Sequence, residues 1–503
     1  MQQIYNLCRQ IAYFCCSKPQ FEIMKKSTFI FLFALLSQSL SAQIIGGNGE
    51  GFGASFQDED IRQITLLSTN SPIGVRWPGG GDSKVAFPAI DKPGLGMHID
   101  SVNALYDEFR DGQGLIKVEA LEKDIKKAEK EKESTESELM HLIRTSRATK
   151  NFQVSFALNV MQGTPESNLR AITTLIDSGV NIVAVVAGNE TFASYNYNWE
   201  KYKNDFEPIL KAIQKKYPDI PRLLCIGQAI NRKTHIQWNT QLFQYVKNTG
   251  NFISGVDIHY YLYDELKEAN ATHPGIVQIK EGKADKQLDK AFAMYIDAYR
   301  NKDQMSALAA YLQVNLPGKI YHCSEFGDKE AENWSNTIAN GAHIFTTFCV
   351  NRNNFDMLLV HNLIGNWLWA ARRPATKLDD VKNKSEKVNR ISWFALQLAN
   401  ELPVTALPLD KTIKIIAPGN YYYYYDNAGG ELFNPEITST FSSITYELHY
   451  VTGKFPYSSA GSTGFWAKNS EIFFEVKGIT IDKQKNQLII PKNSFGYVQV
   501  VVE

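Results

Sequence analysis

"VAVVAGNETF", Val183–Phe192, runs small and β-branched residues directly into an amide and a carboxylate. An apolar run of this kind suits a strand buried in a sheet, and Gly188 offers a turn at its end. The same organisation recurs on both sides of it, with short apolar runs separated by amphipathic stretches. Such runs are "QIIGG" from Gln43, "IGVRW" from Ile73, "VSFALNV" from Val154, "NIVAVVA" from Asn181, "RLLCIG" from Arg222, "SGVDIHYYL" from Ser254, "KIYHCSEF" from Lys319 and "FDMLLVHNLI" from Phe355. Between them lie helical patterns such as "SNLRAITTLIDSG" and "WEKYKNDFEPILKAIQKKYP", with apolar residues three and four apart and Gly or Pro stops. Eight alternating units predict an α/β fold, a (β/α)8 TIM barrel over residues 43–400. A doubly wound open sheet is the alternative, but no Gly-x-Gly-x-x-Gly follows an early strand.

The character changes after "RISWFALQLANEL", which reads as a last helix. "KTIKIIAPGNYYYYYDN", "SSITYELHYVTG", "SEIFFEVKGITID", "NQLIIPKNS" and "GYVQVVVE" alternate apolar with polar residues between Gly, Asn and Pro. This pattern predicts a C-terminal antiparallel β-sandwich over 401–503. Alternation divides the tyrosines from Tyr421 to Tyr425 between core and surface, although a sugar-stacking face is the other use for them. Inside the barrel, a segment dense in Lys and Glu, "VEALEKDIKKAEKEKESTESELMHLI", predicts a solvated helix or helical hairpin at about 118–148. A partner-binding coiled coil is its alternative, but the heptad seam is broken at Lys132 and Thr135.

Basic and acidic residues balance at 53 each, so no excess field draws the chain to nucleic acid or to an anionic membrane. Met24-Lys25-Lys26, the apolar "FIFLFALL" and the small residues of "SQSLSAQ" have the form of a signal peptide over about 24–42. The expectation is an exported protein, secreted or periplasmic, translated from Met24 and without a membrane anchor. Residues 1–42 are then upstream extension plus signal. Cys225, Cys323 and Cys349 remain in the mature chain, an odd number with no zinc spacing, so neither a disulfide framework nor a metal site is predicted. "PGGGDSK" at Pro78–Lys84 lacks the Gly-Lys-Ser/Thr ending of a phosphate loop, and no cofactor is called for.

Barrel chemistry collects at the C-terminal ends of strands. Glu190 ends the fourth run and Glu325 the seventh, and closure brings both to one mouth, where two carboxylates are the equipment of glycosidic bond cleavage. For either motif alone, a helix start with a polar cap is the competing account.

"AGNE" and "SEFG", with "VRWPGG" at Val75–Gly80 and "DIHYY" at Asp257–Tyr261, resemble motifs of the retaining glycoside hydrolases of the clan A barrel superfamily. The β-xylosidase/α-iduronidase, α-arabinofuranosidase and β-glucuronidase/heparanase groups are the most similar in appearance. The resemblance implies Glu190 as acid/base, its proton held by an apolar wall or by its acidic partner, and Glu325 as ionised nucleophile. It implies Arg76 beside the nucleophile, Asn189 on the sugar 2-hydroxyl and Tyr261 next to Glu325. His259 shares a strand face with Tyr261 and lines the pocket or packs the core. Trp367 and Trp369 are candidates for an aromatic platform under a sugar ring or for packing between domains. The expected substrate is an oligo- or polysaccharide. A carbohydrate-binding barrel without turnover and a polysaccharide lyase are the alternatives.

Overall fold

The computed structural model describes residues 43–49, 52, 56–68, 71–80, 137–194, 197–228, 232–262, 293, 296–297, 305–327, 337–365, 370–374, 387–409, 420–424, 432–433, 444–453, 472–480 and 488–502. The eight apolar runs become β1 (Ile44–Asn48), β2 (Ile73–Trp77), β3 (Phe152–Ala157), β4 (Asn181–Ala187), β5 (Arg222–Cys225), β6 (Gly255–Tyr261), β7 (Ile320–Gly327) and β8 (Met357–Val360). They pair in parallel in sequence order, and β8 returns to β1, which closes the barrel. Because one face of each strand meets helices and the other meets the barrel interior, the runs are mostly apolar on both faces where an exposed sheet would alternate.

Seven helices accompany the barrel among the described residues: α1 (Asp58–Leu67), α2 (Glu138–Ala148), α3 (Pro165–Asp177), α4 (Trp199–Lys216), α5 (Lys233–Asn248), α6 (Met305–Asn315) and α7 (Ile338–Val350). Their starts follow capping chemistry. Ser137, Thr164, Asn198 and Thr337 accept hydrogen bonds from backbone N–H groups of the first turn, each worth about 1 kcal/mol. Helix α2 differs from the expectation of a helix standing off the barrel. Leu139, Leu142 and Ile143 are fully buried and Thr65 of α1 meets Thr149 at its end, so residues 137–148 belong to the barrel wall. The physical reason lies in the composition, since the Lys/Glu density stops where "LMHLI" begins. The earlier part of the charged segment, 118–136, lies outside the described residues.

Helix α7 carries no charged residue and is buried almost from end to end. It is covered on its far side by α8 (Ile391–Glu401) and by the C-terminal strands. A Cβ on Gly341 would lie 2.5 Å from Ile391 and 2.7 Å from Phe495, so only glycine permits that approach. The C-terminal strands form a five-stranded sheet, β11 (Leu407–Pro408), β12 (Tyr421–Tyr424), β17 (Ser494–Val502), β14 (Ile444–Gly453) and β15 (Ile472–Thr480) in spatial order, antiparallel except at β11. A separate pair joins β13 (Leu432–Phe433) to β16 (Leu488–Ile489). Tyr422, Tyr423 and Tyr424 are buried and Tyr421 half-buried, so this strand is covered on both faces. Tyr497 donates to Glu401 at 2.9 Å and fixes the sheet to the end of α8. After the barrel closes, β9 (Arg372–Pro374) and β10 (Lys387–Asn389) form a hairpin held to α1 through buried Asp60, which Arg372 meets at 2.8 Å and Lys387 also contacts. Cys225, Cys323 and Cys349, the cysteines among the described residues, are buried free thiols. Among the described residues no helix is long and apolar enough to cross a membrane.

Candidate active site

At the end of β4 the chain must leave a buried wall and deliver polar groups into the mouth within three residues. Gly188 adopts φ +88°, where a Cβ would lie 2.8 Å from Thr191 and 2.9 Å from Val160. Glu190 follows at φ 42°, ψ 36°, left-handed for a residue with a side chain, and heads a single 3-10 turn at Thr191–Ala193. Strain of this kind costs on the order of 1–3 kcal/mol and persists only where the surroundings impose it. Here α4 does so: the buried Tyr202 hydroxyl donates to Ala187 O at 2.7 Å and accepts from Cys225 N at 3.1 Å, tying the ends of β4 and β5 together.

On the opposite wall, β6 and β7 shift register between Ile258 and His259, and β7 and β8 between Cys323 and Phe326. Irregularities of this type re-aim side chains. They leave His259 and Glu325 directly paired, with Tyr261 two residues along the same strand. On the near wall Asn48 of β1 pairs with Arg76 of β2.

These placements converge on Glu325, 2% exposed. Its Oε1 accepts from Asn48 Nδ2 at 2.6 Å and from Arg76 at 2.9 Å. Its Oε2 accepts from the Tyr261 hydroxyl and lies 3.3 Å from His259 Nδ1 and 3.8 Å from His361 Nε2. Arg76, fully buried, uses its other terminal nitrogen on Asn189 Oδ1 at 2.6 Å, so one guanidinium orients both Glu325 and Asn189. Glu190, half-buried, accepts at Oε1 from Gln228 Nε2 at 2.6 Å and from His259 Nδ1 at 2.8 Å. One oxygen of Glu190, one nitrogen of His259 and one oxygen of Glu325 lie within 4.8 Å of one another.

Beneath them sits Asp257, which accepts from Ser324 at 2.7 Å and lies 3.9 Å from both Arg76 Nε and His259 Nε2. Burial pushes its carboxyl above the ordinary range, against the opposing pull of His259 and Arg76. For His259, burial opposes the charge, but Glu325 and the hydrogen bond to Glu190 outweigh it and favour the imidazolium. Arg76 follows the same pattern: Glu325 and Asp257 overcome burial and hold the guanidinium above its usual value.

The Glu190–His259–Glu325 group has the size of a divalent-ion site. The guanidinium 2.9 Å from Glu325 argues for another use. Two like charges about 4 Å apart oppose one another by about 4 kcal/mol near a protein surface, and the Glu325 side of the group is already neutralised by Arg76. What the arrangement can do is hold one carboxylate fixed and charged opposite a second that is reached by solvent.

Arg76, Asn189, Glu190, His259, Tyr261 and Glu325 are thus brought together, whereas Trp367 and Trp369 lie outside the described residues. The sequence reading missed Asn48, Gln228, Asp257 and His361. Asn48 and Gln228 each stand at a strand end beside a glycine, the signal that singled out Glu190.

No family model matches the chain, and no curated protein matches it by sequence. Solved structures do match. A family 51 alpha-L-arabinofuranosidase from Bifidobacterium longum is 10% identical with a TM-score of 0.52, over 91% of this chain and 97% of its own. A conserved exported protein from Bacteroides fragilis is 9% identical with a TM-score of 0.48, over 92% of this chain and 97% of its own. A GH39 enzyme from Xanthomonas axonopodis pv. citri is 9% identical with a TM-score of 0.47, over 93% and 96%. The first of these likenesses is one of fold: the chain shares its closed (β/α)8 barrel with that enzyme.

Proposed function

We propose that the protein is an exported retaining glycoside hydrolase acting on an oligo- or polysaccharide, with Glu190 as acid/base and Glu325 as nucleophile. The observation that carries this is the approach of the two carboxylates, one oxygen of each within 4.8 Å together with His259. Direct attack on an anomeric carbon needs carboxyls about 5 to 5.5 Å apart, whereas an intervening water needs about 6.5 to 9.5 Å. In the first half-reaction a Glu325 oxygen forms a bond to the anomeric carbon as the bond to the leaving oxygen breaks, and the Glu190 proton passes to that oxygen. In the second, Glu190 takes a proton from water, the water oxygen bonds the anomeric carbon, and Glu325 departs as carboxylate. Arg76, Asn48 and Tyr261 keep Glu325 charged and aimed, and Asn189, held by Arg76, is placed for the sugar 2-hydroxyl. The five-stranded sheet and the β13–β16 pair would be the two leaves of the C-terminal β-sandwich.

The test is a panel of 4-nitrophenyl glycosides beginning with α-L-arabinofuranoside, β-D-xyloside, β-D-glucoside and β-D-glucuronide. Release by wild type and not by Glu325→Gln, with retained anomeric configuration by NMR, is the expected result. Equal release by both proteins would remove the assignment. An unsaturated product absorbing in the near ultraviolet would mark a lyase.

A further inference from the structure

His259 of β6 stands between the two acids. Its Nδ1 lies 2.8 Å from Glu190 Oε1 and 3.3 Å from Glu325 Oε2, and the residue is 3% exposed. Its neighbours at that nitrogen are carboxyls, and Arg76 at 2.9 Å holds the Glu325 one charged. A lone pair on Nδ1 would face that negative charge, so Nδ1 carries a hydrogen and donates. The surroundings act in the same sense: burial and, less strongly, Arg76 oppose a charge on the ring, and Glu325 with Glu190 outweighs them. Asp257 Oδ2 lies 3.9 Å from Nε2, while the Tyr261 hydroxyl and, at 3.8 Å, His361 Nε2 reach the same Glu325 oxygen. The proposed reaction moves one negative charge between the two acids. Glu325 loses it when its oxygen bonds the anomeric carbon, Glu190 gains it when its proton passes to the leaving oxygen, and the second half-reaction returns it. A donor within reach of both ends binds more strongly to whichever oxygen carries the charge, and no proton leaves the nitrogen.

We infer that His259 is a positioning residue shared by both acids, its Nδ1–H stabilising the negative charge on whichever of Glu190 and Glu325 is ionised. This rests on the assignment of Glu190 as acid/base and Glu325 as nucleophile. A hydrogen bond to the ionised form of a carboxyl favours that form, so removing the shared donor makes both carboxyls hold their protons to higher pH. The acid limb of the kcat/KM profile follows Glu325 and the alkaline limb follows Glu190, and both should move together. A ring that only packs the core would move neither limb, and a donor to one acid would move one.

The experiment records kcat/KM against pH for the full chain on the phenyl glycoside of the sugar that wild type hydrolyses, a leaving group that needs its proton. His259→Gln carries its amide to the position of Nε2, facing Asp257, and takes the donor away from the acids. His259→Asn keeps an amide N–H near the position of Nδ1. The glutamine variant is expected to move both limbs upward by about one pH unit, and the asparagine variant by less than about half of that. Limbs that stay in place, a shift of one limb alone, or equal shifts in the two variants would overturn the inference. Wild type supplies a second measurement that needs no variant to fold. Trapping it with the 2-deoxy-2-fluoro glycosyl fluoride removes the charge from Glu325, so a histidine Nδ1–H resonance in 15N NMR should persist and shift; no shifted resonance would count equally against the inference. Glu190→Ala separates this from the reading beneath it. If Glu190→Ala loses the alkaline limb and recovers with azide, but the His259 variants leave both limbs in place, only the role of His259 fails. If Glu190→Ala keeps the wild-type alkaline limb, the assignment of the acid fails first and the inference falls with it.

Discussion

Replacing His322 by glutamine is expected to relieve the barrel of a sensitivity to acid. His322 lies on β7, paired with Asp257, is 3% exposed, and its Nδ1 finds no hydrogen-bond partner among the described residues. Burial pushes its imidazole down from 6.5 to about 3. The native protein therefore keeps this ring neutral while the unfolded chain protonates it below about pH 6.5. Stability is intact above that value and falls, as pH drops toward 3, by about 1.4 kcal/mol per pH unit, reaching about 5 kcal/mol in all. Urea unfolding of wild type and His322→Gln from pH 4 to pH 8 tests this, because contributions from other carboxylates and histidines cancel when the two curves are subtracted. The difference should be flat above pH 7 and should slope below pH 6. Two parallel curves over the whole range would mean that His322 is not buried neutral, and the reasoning would be wrong.

Arg76→Lys is expected to lower kcat/KM by about a hundredfold with the fold retained, since one ammonium cannot span Glu325 and Asn189 as two guanidinium nitrogens do; steady-state kinetics and circular dichroism check it. Tyr261→Phe deletes the hydroxyl donor to Glu325 Oε2 and should cost about ten- to hundredfold in kcat/KM, the worth of a hydrogen bond to a charged group. Asp257→Asn should raise stability at neutral pH relative to its effect at pH 3. The sign follows from the raised native value: the stability that Asp257 contributes is present below the ordinary carboxylate range and is lost as pH rises through the native one. Urea midpoints at the two pH values decide it.

Much of the barrel was legible because burial on both strand faces writes itself as an uninterrupted apolar run, and all eight runs occupy wall positions. Glu190 and Glu325 were legible because each breaks such a run with a charge. His361 and Asp257 were harder. Asp257 sits inside a run, where a single carboxylate reads equally as a satisfied core group, and only the closure of β2 against β6 across the interior brings Arg76 to it. The pairing of His259 with Glu325 depends on a one-residue register shift that no pattern of hydrophobicity records. The end of the charged segment was misjudged because "LMHLI" follows the Lys- and Glu-rich part without a break, while the burial of Leu139 and Leu142 sets it apart.

The left-handed corner at Glu190 has an evolutionary corollary. Glycine would relax that backbone, and so, to a lesser extent, would asparagine. Any campaign that selects for heat resistance alone should therefore drift toward Glu190→Gly, yielding a sturdier protein without the proposed acid. In the proposed mechanism, glutamate at that corner sets durability against turnover.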